Sequence, residues 1–246
     1  MSDRRHAVRV FEVHWAIAWA AWLFLALAPA ALAQAPAGAP SEHGTHPHHD
    51  DATVHHSFAD VQHWTAVFDD PGRDAWQKPE EVVKALGLSP GMCVADLGAG
   101  TGYFSRYLAR AVGEGGTVLA VDPEPNLVVH LRERSEKEKT ANVVPILASF
   151  DNPRIPAASA DVVLVVDTFH HIDDRVGYFR RLRRALKPGG RVAIVDFKKK
   201  NLPVGPPPEH KLRRSEIVSE MESAGYKLVA QPDVLPYQYF LIFQAK

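Results

Sequence analysis

From about residue 79 onward the chain alternates short apolar runs with stretches whose apolar residues recur every three or four positions. The apolar runs are 93–97, 117–121, 143–148, 162–166, 191–197, 227–230 and 237–243. Short runs rich in β-branched residues read as strands. Residues 79–86, 103–112, 127–137, 175–186 and 215–224 read as helices; in 103–112, Phe104, Tyr107, Leu108 and Ala111 share one side. The run 162–166 is apolar throughout, as in a central parallel strand covered on both faces. Lys187-Pro188-Gly189-Gly190 is expected to stop the helix before the fifth strand, with Ser215 as N-cap of the last helix and Gly225 just past its end. The alternation predicts an α/β fold, a doubly wound seven-stranded sheet that is mostly parallel. The last two strands have no helix between them, so they are expected to pair as an antiparallel C-terminal hairpin at one edge.

The first sixty residues follow a different pattern. Arg4, Arg5 and Arg9 precede an apolar run from Trp15 to Ala33 that ends Ala31-Leu32-Ala33. A basic region, an apolar region and an A-x-A site form the plan of a secretory signal, with cleavage before Gln34. Retained, the same run is long enough to act as a membrane anchor. Residues 1–33 therefore read as a signal peptide or signal anchor, and the domain as exported, periplasmic or secreted. A cytoplasmic domain would require a different start site. Residues 34–57 read as a disordered linker, rich in Pro, Ala and Gly, that carries His43, His46, His48, His49, His55 and His56. A tract without fixed geometry reads as a solvated tail, so no metal ligand is assigned there. Residues 58–246 remain as one domain.

Composition narrows the partners. The 28 Lys and Arg nearly balance the 29 Asp and Glu, which argues against a nucleic-acid binder. One Cys excludes an intrachain disulfide and a cysteine zinc site. Lys198-Lys199-Lys200 and Arg213-Arg214 lack interleaved aromatics and read as a solvated face.

The informative segment is Val94-Ala95-Asp96-Leu97-Gly98-Ala99-Gly100-Thr101-Gly102-Tyr103-Phe104. A strand enters a glycine-rich turn that opens a helix, an arrangement that brings a ligand close to the main chain. The spacing is G-x-G-x-G, and Tyr103 stands where a dinucleotide fingerprint wants its third glycine. Asp96, two residues before the loop, would repel a nearby pyrophosphate and suits a ligand bearing positive charge.

The segment resembles motif I of the class I S-adenosylmethionine-dependent methyltransferases. Asp122-Pro123 at the end of the second strand, Phe150-Asp151 after the third, Asp167 to His171 after the fourth, and Lys187-Pro188-Gly189-Gly190 before the fifth follow the family's order. The resemblance covers about residues 70–246 and implies a Rossmann-like fold, S-adenosylmethionine as cofactor and a small-molecule methyl acceptor. It also implies roles. Gly98, Ala99, Gly100, Gly102 and Tyr103 would frame the methionine and ribose portions, and Asp96 would engage the methionine amino group. Asp122, with Pro123, would accept from the ribose diol, while Asp151 would accept from adenine, with Phe150 packed on the ring. Asp167 would join the cofactor site. His170 or His171 is expected to act as a general base or to orient the acceptor. Trp76 and Gln77, in the polar stretch before the core, are expected to close over the site as a lid. His210 follows a stiff, proline-rich crossover on the acceptor side.

The chain looks closest to the small-molecule branch of the family that includes quinone-type and arsenite-type methyltransferases, but it lacks the cysteines an arsenite enzyme needs, since Cys93 stands alone. Two other classes stand beside the enzyme reading. One is an exported S-adenosylmethionine-binding or metal-binding protein without turnover; the other is a nicotinamide oxidoreductase, which Tyr103 disfavours.

Overall fold

The computed structural model describes residues 60–246. The segments expected to be an export signal and a linker, 1–33 and 34–57, fall outside the described residues. Seven strands form one sheet in the order β3-β2-β1-β4-β5-β7-β6. They are β1 (Cys93–Leu97), β2 (Thr117–Asp122), β3 (Val143–Leu147), β4 (Ala160–Val166), β5 (Leu186–Phe197), β6 (Tyr226–Ala230) and β7 (Gln238–Ala245). The first five run parallel, and β7 pairs antiparallel with both β5 and β6. This is the doubly wound α/β sheet with the C-terminal antiparallel pair that the alternation predicts.

Seven α-helices accompany it: α1 (Val61–Phe68), α2 (Asp74–Gln77), α3 (Pro79–Leu86), α4 (Tyr103–Val112), α5 (Pro125–Glu138), α6 (Arg175–Leu182) and α7 (Arg214–Ser223). Two apolar clusters cover the two faces of the sheet. One gathers Phe169, Phe179, Leu182, Ile217 and Met221 from α6, α7 and the turn after β4. The other gathers Val82, Leu86, Phe104, Leu108 and Leu131 from α3, α4 and α5. β4 lies between them, and Val163, Leu164 and Val165 are fully buried, as expected for a strand covered on both faces.

Three local expectations change. Helix α6 ends at Leu182 and passes through a 3-10 turn, and β5 begins already at Leu186. Lys187–Gly190 is thus a bulge within the strand, where pairing with β4 shifts register between Ala160 and Val162. Helix α7 starts one residue early, so Ser215 is not its cap; the Glu216 carboxylate instead accepts from the Arg213 amide. Pro125 opens α5 at the first helical position, where its missing N–H is no loss.

Candidate active site at the carboxyl edge of the sheet

In parallel α/β sheets ligands bind beyond the carboxyl ends of the strands, where the strand order reverses. Here that point lies between β1 and β4. A cavity of about 1270 Å³ opens there, lined by Asp96, Gly98–Thr101, Tyr103, Asp122, Pro123, Phe150, Asp167, His170 and His171 among others.

The glycine turn is shaped by β2. The amides of Gly98 and Ala99 donate to the Val121 carbonyl at 2.8 and 3.1 Å. The Gly100 amide donates to Asp122 Oδ2 at 2.8 Å, and the Glu124 amide to Oδ1 at 2.9 Å. Asp122 therefore braces the loop, and each oxygen keeps capacity for a further donor. Burial pushes the Asp122 carboxyl up to about 6 despite those two amides. Asp96 accepts from Ser105 Oγ of α4 at 2.7 Å, and burial pushes it up to about 6 as well.

Asp167 sits just past β4 in the left-handed region, at φ +52°. Gln238 Nε2 donates to its Oδ1 at 2.5 Å, and the Arg73 guanidinium stands 3.5 Å from its Oδ2. Burial nonetheless raises this carboxyl to about 7, with Arg73 opposing the rise and Asp196 adding to it. His170 follows, and its Nδ1 lies 2.8 and 3.0 Å from the two oxygens of Asp196. Both side chains are almost sealed, at 6% and 1% exposure. Burial pulls the imidazole down, but Asp196 more than offsets this and leaves it raised. The His171 ring packs on His170 with centroids 4.1 Å apart.

The segment before the core covers one side of the cavity. Trp76 lines it, backed by Phe197 at 5.8 Å and Tyr237 at 6.4 Å. Arg73 donates to the Phe68 carbonyl and to Gln77 Oε1, and lies over the Tyr103 ring. The Tyr103 and Tyr107 hydroxyls both donate to Asp74. Arg134 of α5 pairs with Asp69 at 2.6 Å.

Three residues expected at the ligand fall elsewhere. Gln77 is fully buried behind the wall, where it joins Arg73 to Gln238 by hydrogen bonds. A glutamine with both ends used in this way ties the segment before the core to β7 and does not line the cavity. Gly102 lies outside the cavity lining and caps α4 at φ +87°; a Cβ there would come 2.8 Å from Leu131 Cδ2. Its role is the close approach of α4 and α5. Asp151 also lies outside the lining, and its carboxylate accepts from Ser149 Oγ at 2.8 Å within the same turn. Phe150 keeps its place on the wall and is 63% exposed. Arg73, Gln238 and Asp196 are the residues that motif reading passes over. A carboxylate at the end of the fifth strand, like Asp96 and Asp122 at theirs, is the signal that marks Asp196. Arg73 and Gln238 have no motif, because only the fold brings them to Asp167.

The raised groups set a pH dependence. A carboxyl or imidazole whose folded pKa exceeds its unfolded value favours the fold while it is protonated. That contribution is complete below the unfolded pKa and is lost as pH rises through the folded one. For Asp96, Asp122 and Asp167 the loss spans about pH 4 to 7, and His170 adds to it in the same direction. One carboxyl held about two pH units high corresponds to about 2–3 kcal/mol. Between pH 5 and pH 8 the three carboxyls together lose about 5 kcal/mol, so the Tm of the ligand-free protein is expected to fall by roughly 10–20 °C. Calorimetric scans across that window check it; a flat or rising Tm contradicts the assignment.

The residues present fit S-adenosylmethionine. Its ammonium and sulfonium are cationic, and Asp96 and Asp167 offer carboxylates that such charge would hold ionised. Asp122 offers acceptor capacity for a diol, and Pro123, Leu127 and Phe150 offer apolar surface for a ring. Residues 95–194 match the family described as "Methyltransferase domain". A ubiquinone/menaquinone biosynthesis C-methyltransferase from Shewanella sp. is 27% identical over 54% of this chain and 50% of its own length. A demethylmenaquinone methyltransferase from Tropheryma whipplei is 33% identical over 46% and 45% respectively. The chain thus spans about half the length of these curated relatives. The crystal structure of a SAM-dependent methyltransferase from Aquifex aeolicus superposes with a TM-score of 0.73 at 29% identity, covering 78% of this chain and all of that one. Residues 95–194 are thus similar to a methyltransferase domain, carried on the α/β fold that the chain shares with the Aquifex aeolicus SAM-dependent methyltransferase.

Proposed function

We propose that the protein is an S-adenosylmethionine-dependent methyltransferase acting on a small-molecule acceptor. The observation that carries this reading is the cavity, which at about 1270 Å³ exceeds the roughly 300–1,000 Å³ of an ordinary single-ligand site. It has room for a cofactor and a second molecule side by side. One flank is the acidic, glycine-turned side of Asp96, Gly100 and Asp122; the other carries His170, His171, Val204 and His210. When bound, S-adenosylmethionine supplies a methyl group already activated on a sulfonium. The protein is left to align the acceptor and to manage its proton.

Asp96 and Asp122 hold the cationic and hydroxyl-bearing portions. Trp76, with Arg73 behind it, closes the wall and excludes water. Trp64, Phe68, Trp76 and Phe197 also line the cavity, and their flat faces suit a planar acceptor of the quinol or phenol class.

Calorimetry with S-adenosylmethionine, its demethylated product and NAD tests the cofactor. The first two are expected to bind in the micromolar range and NAD not at all. Turnover on quinols, phenols, thiols and amines then separates an enzyme from a binding protein. Cofactor binding without any methylated product would favour the binding protein, and NAD binding would overturn both.

A further inference from the structure

We propose that Asp196 and His170 form a carboxylate–imidazole base that takes the proton from an acceptor hydroxyl, so that the methyl is delivered to an ionisable O–H group. This rests on the methyltransferase reading and assigns the acceptor class within it.

The geometry gives His170 one defined tautomer. Nδ1 faces both oxygens of a buried carboxylate and donates its hydrogen there. The same carboxylate accepts from the His170 and Phe197 amides, which fix its plane. Nε2 then carries the lone pair. It has no hydrogen-bond partner among the described residues, it is not one of their buried orphaned nitrogens, and His170 lines the cavity. An oriented imidazole with one nitrogen unpaired, on a residue that lines a ligand cavity and is held by a carboxylate, is the arrangement of a general base. Asp196 holds the His170 ring and the His170 amide, so the base is His170, and His171, packed beside it, flanks the acceptor.

The step balances. The acceptor O–H proton passes to Nε2 while the oxygen pair forms the bond to the methyl carbon. The sulfonium S–C bond breaks and its electron pair stays on sulfur. Positive charge has then moved from sulfur to the imidazolium, which Asp196 stabilises, and the proton leaves to solvent. The other charged groups around the ring are Asp167, which favours the imidazolium, and Arg175, which opposes it. An amine that attacks through its own lone pair needs no such base before transfer. A hydroxyl that stays neutral near pH 7 does.

The test has two arms on the full chain. In the first, NMR titration follows the His170 ring without any acceptor. His170 is expected to titrate above free imidazole with the Nδ1–H tautomer, and Asp196→Asn to lower its midpoint by at least about one pH unit. A midpoint at or below that of free imidazole, or one unmoved in Asp196→Asn, overturns the pair. In the second, wild type and His170→Gln are compared on catechol and on 4-nitrocatechol, whose hydroxyl is far more acidic. His170→Gln is expected to lose about 10²–10⁴-fold in kcat on catechol and much less on 4-nitrocatechol. Its calorimetric Kd for S-adenosylmethionine should stay within about threefold of wild type. Equal loss on both acceptors, or none, overturns the base. So does a wild type that methylates amines or thiols but neither catechol. Absence of cofactor binding would instead sink the methyltransferase reading itself.

Discussion

Gly98→Ala is expected to weaken S-adenosylmethionine binding by at least about 100-fold and to lower the Tm by roughly 6–12 °C. Two separate causes act at this position. Its φ of +74° lies in the left-handed region, which a residue with a Cβ adopts at a cost of about 1 kcal/mol. A Cβ would also lie 2.2 Å from Thr168 Oγ1 and 2.5 Å from its Cγ2. Thr168 has little freedom to retreat, because its hydroxyl donates to the Val166 carbonyl at 2.8 Å and it leads into the turn carrying His170 and His171. Gly98 is held as well, since its amide and that of Ala99 share the Val121 carbonyl. Relief must therefore move either the glycine turn or the turn after β4, and both border the cavity. Together strain and overpacking amount to about 3 kcal/mol. Gly87→Ala separates the two causes. Gly87 also has a positive φ, +62°, yet nothing lies within 4 Å of its Cβ position. It is expected to lose only the backbone component and to bind the cofactor normally. Equal behaviour of the two variants in calorimetry and thermal unfolding would show that the approach to Thr168 is unimportant.

That contrast marks where sequence reading succeeds. Strand period and glycine spacing are local properties, so the sheet, the turn at residues 98–102 and the carboxylates at 96 and 122 are all legible before any coordinates. What is lost is whatever depends on two distant segments meeting. Gly102 and Gly98 look alike in the motif, but Gly98 meets Thr168 of the β4 turn and Gly102 meets Leu131 of α5. Gln77 reads as a polar lid residue, and its burial follows from Gln238, a partner 161 positions away. Asp151 reads as an adenine acceptor because it follows a strand, and the local Ser149 hydroxyl that donates to it gives no signal in that motif. The bulge at Lys187–Gly190 reads as a turn because Pro and Gly usually end structure, whereas pairing with β4 carries the strand through it. His170 is legible as a candidate base. Choosing it over its neighbour required the pairing of β4 with β5, which sets Val166 beside Val195 and so brings Asp196 to His170.

Arg73→Ala is expected to release the segment before the core from the sheet and to weaken cofactor binding by at least about 30-fold. Arg73 is the point where that segment is tied down. Its guanidinium donates to the Phe68 carbonyl at 2.9 Å and to Gln77 Oε1 at 3.2 Å, stands 3.5 Å from Asp167, and lies 4.2 Å from the centre of the Tyr103 ring. Alanine removes all four interactions and leaves Asp167 facing Gln238 with its charge uncompensated. Breaking a buried pair typically costs about 3–5 kcal/mol. At 3.5 Å, with Asp167 partly open to the cavity, about 2–3 kcal/mol is the expected scale here. The carboxyl, already raised to about 7, is expected to rise further and to be protonated at neutral pH. Cofactor binding suffers because Asp70, Gly72, Arg73 and Trp76 all line the cavity. Arg73→Lys keeps the charge but loses the fork that reaches Phe68, Gln77 and Asp167 together, so it is expected to fall between wild type and alanine. Hydrogen exchange gives the local readout: α1 and α2 should lose protection in Arg73→Ala while β1, β4 and β5 keep theirs. Unchanged exchange over residues 61–77, with cofactor affinity within about threefold of wild type, would mean that the Arg134–Asp69 and Tyr103–Asp74 contacts hold the segment without Arg73.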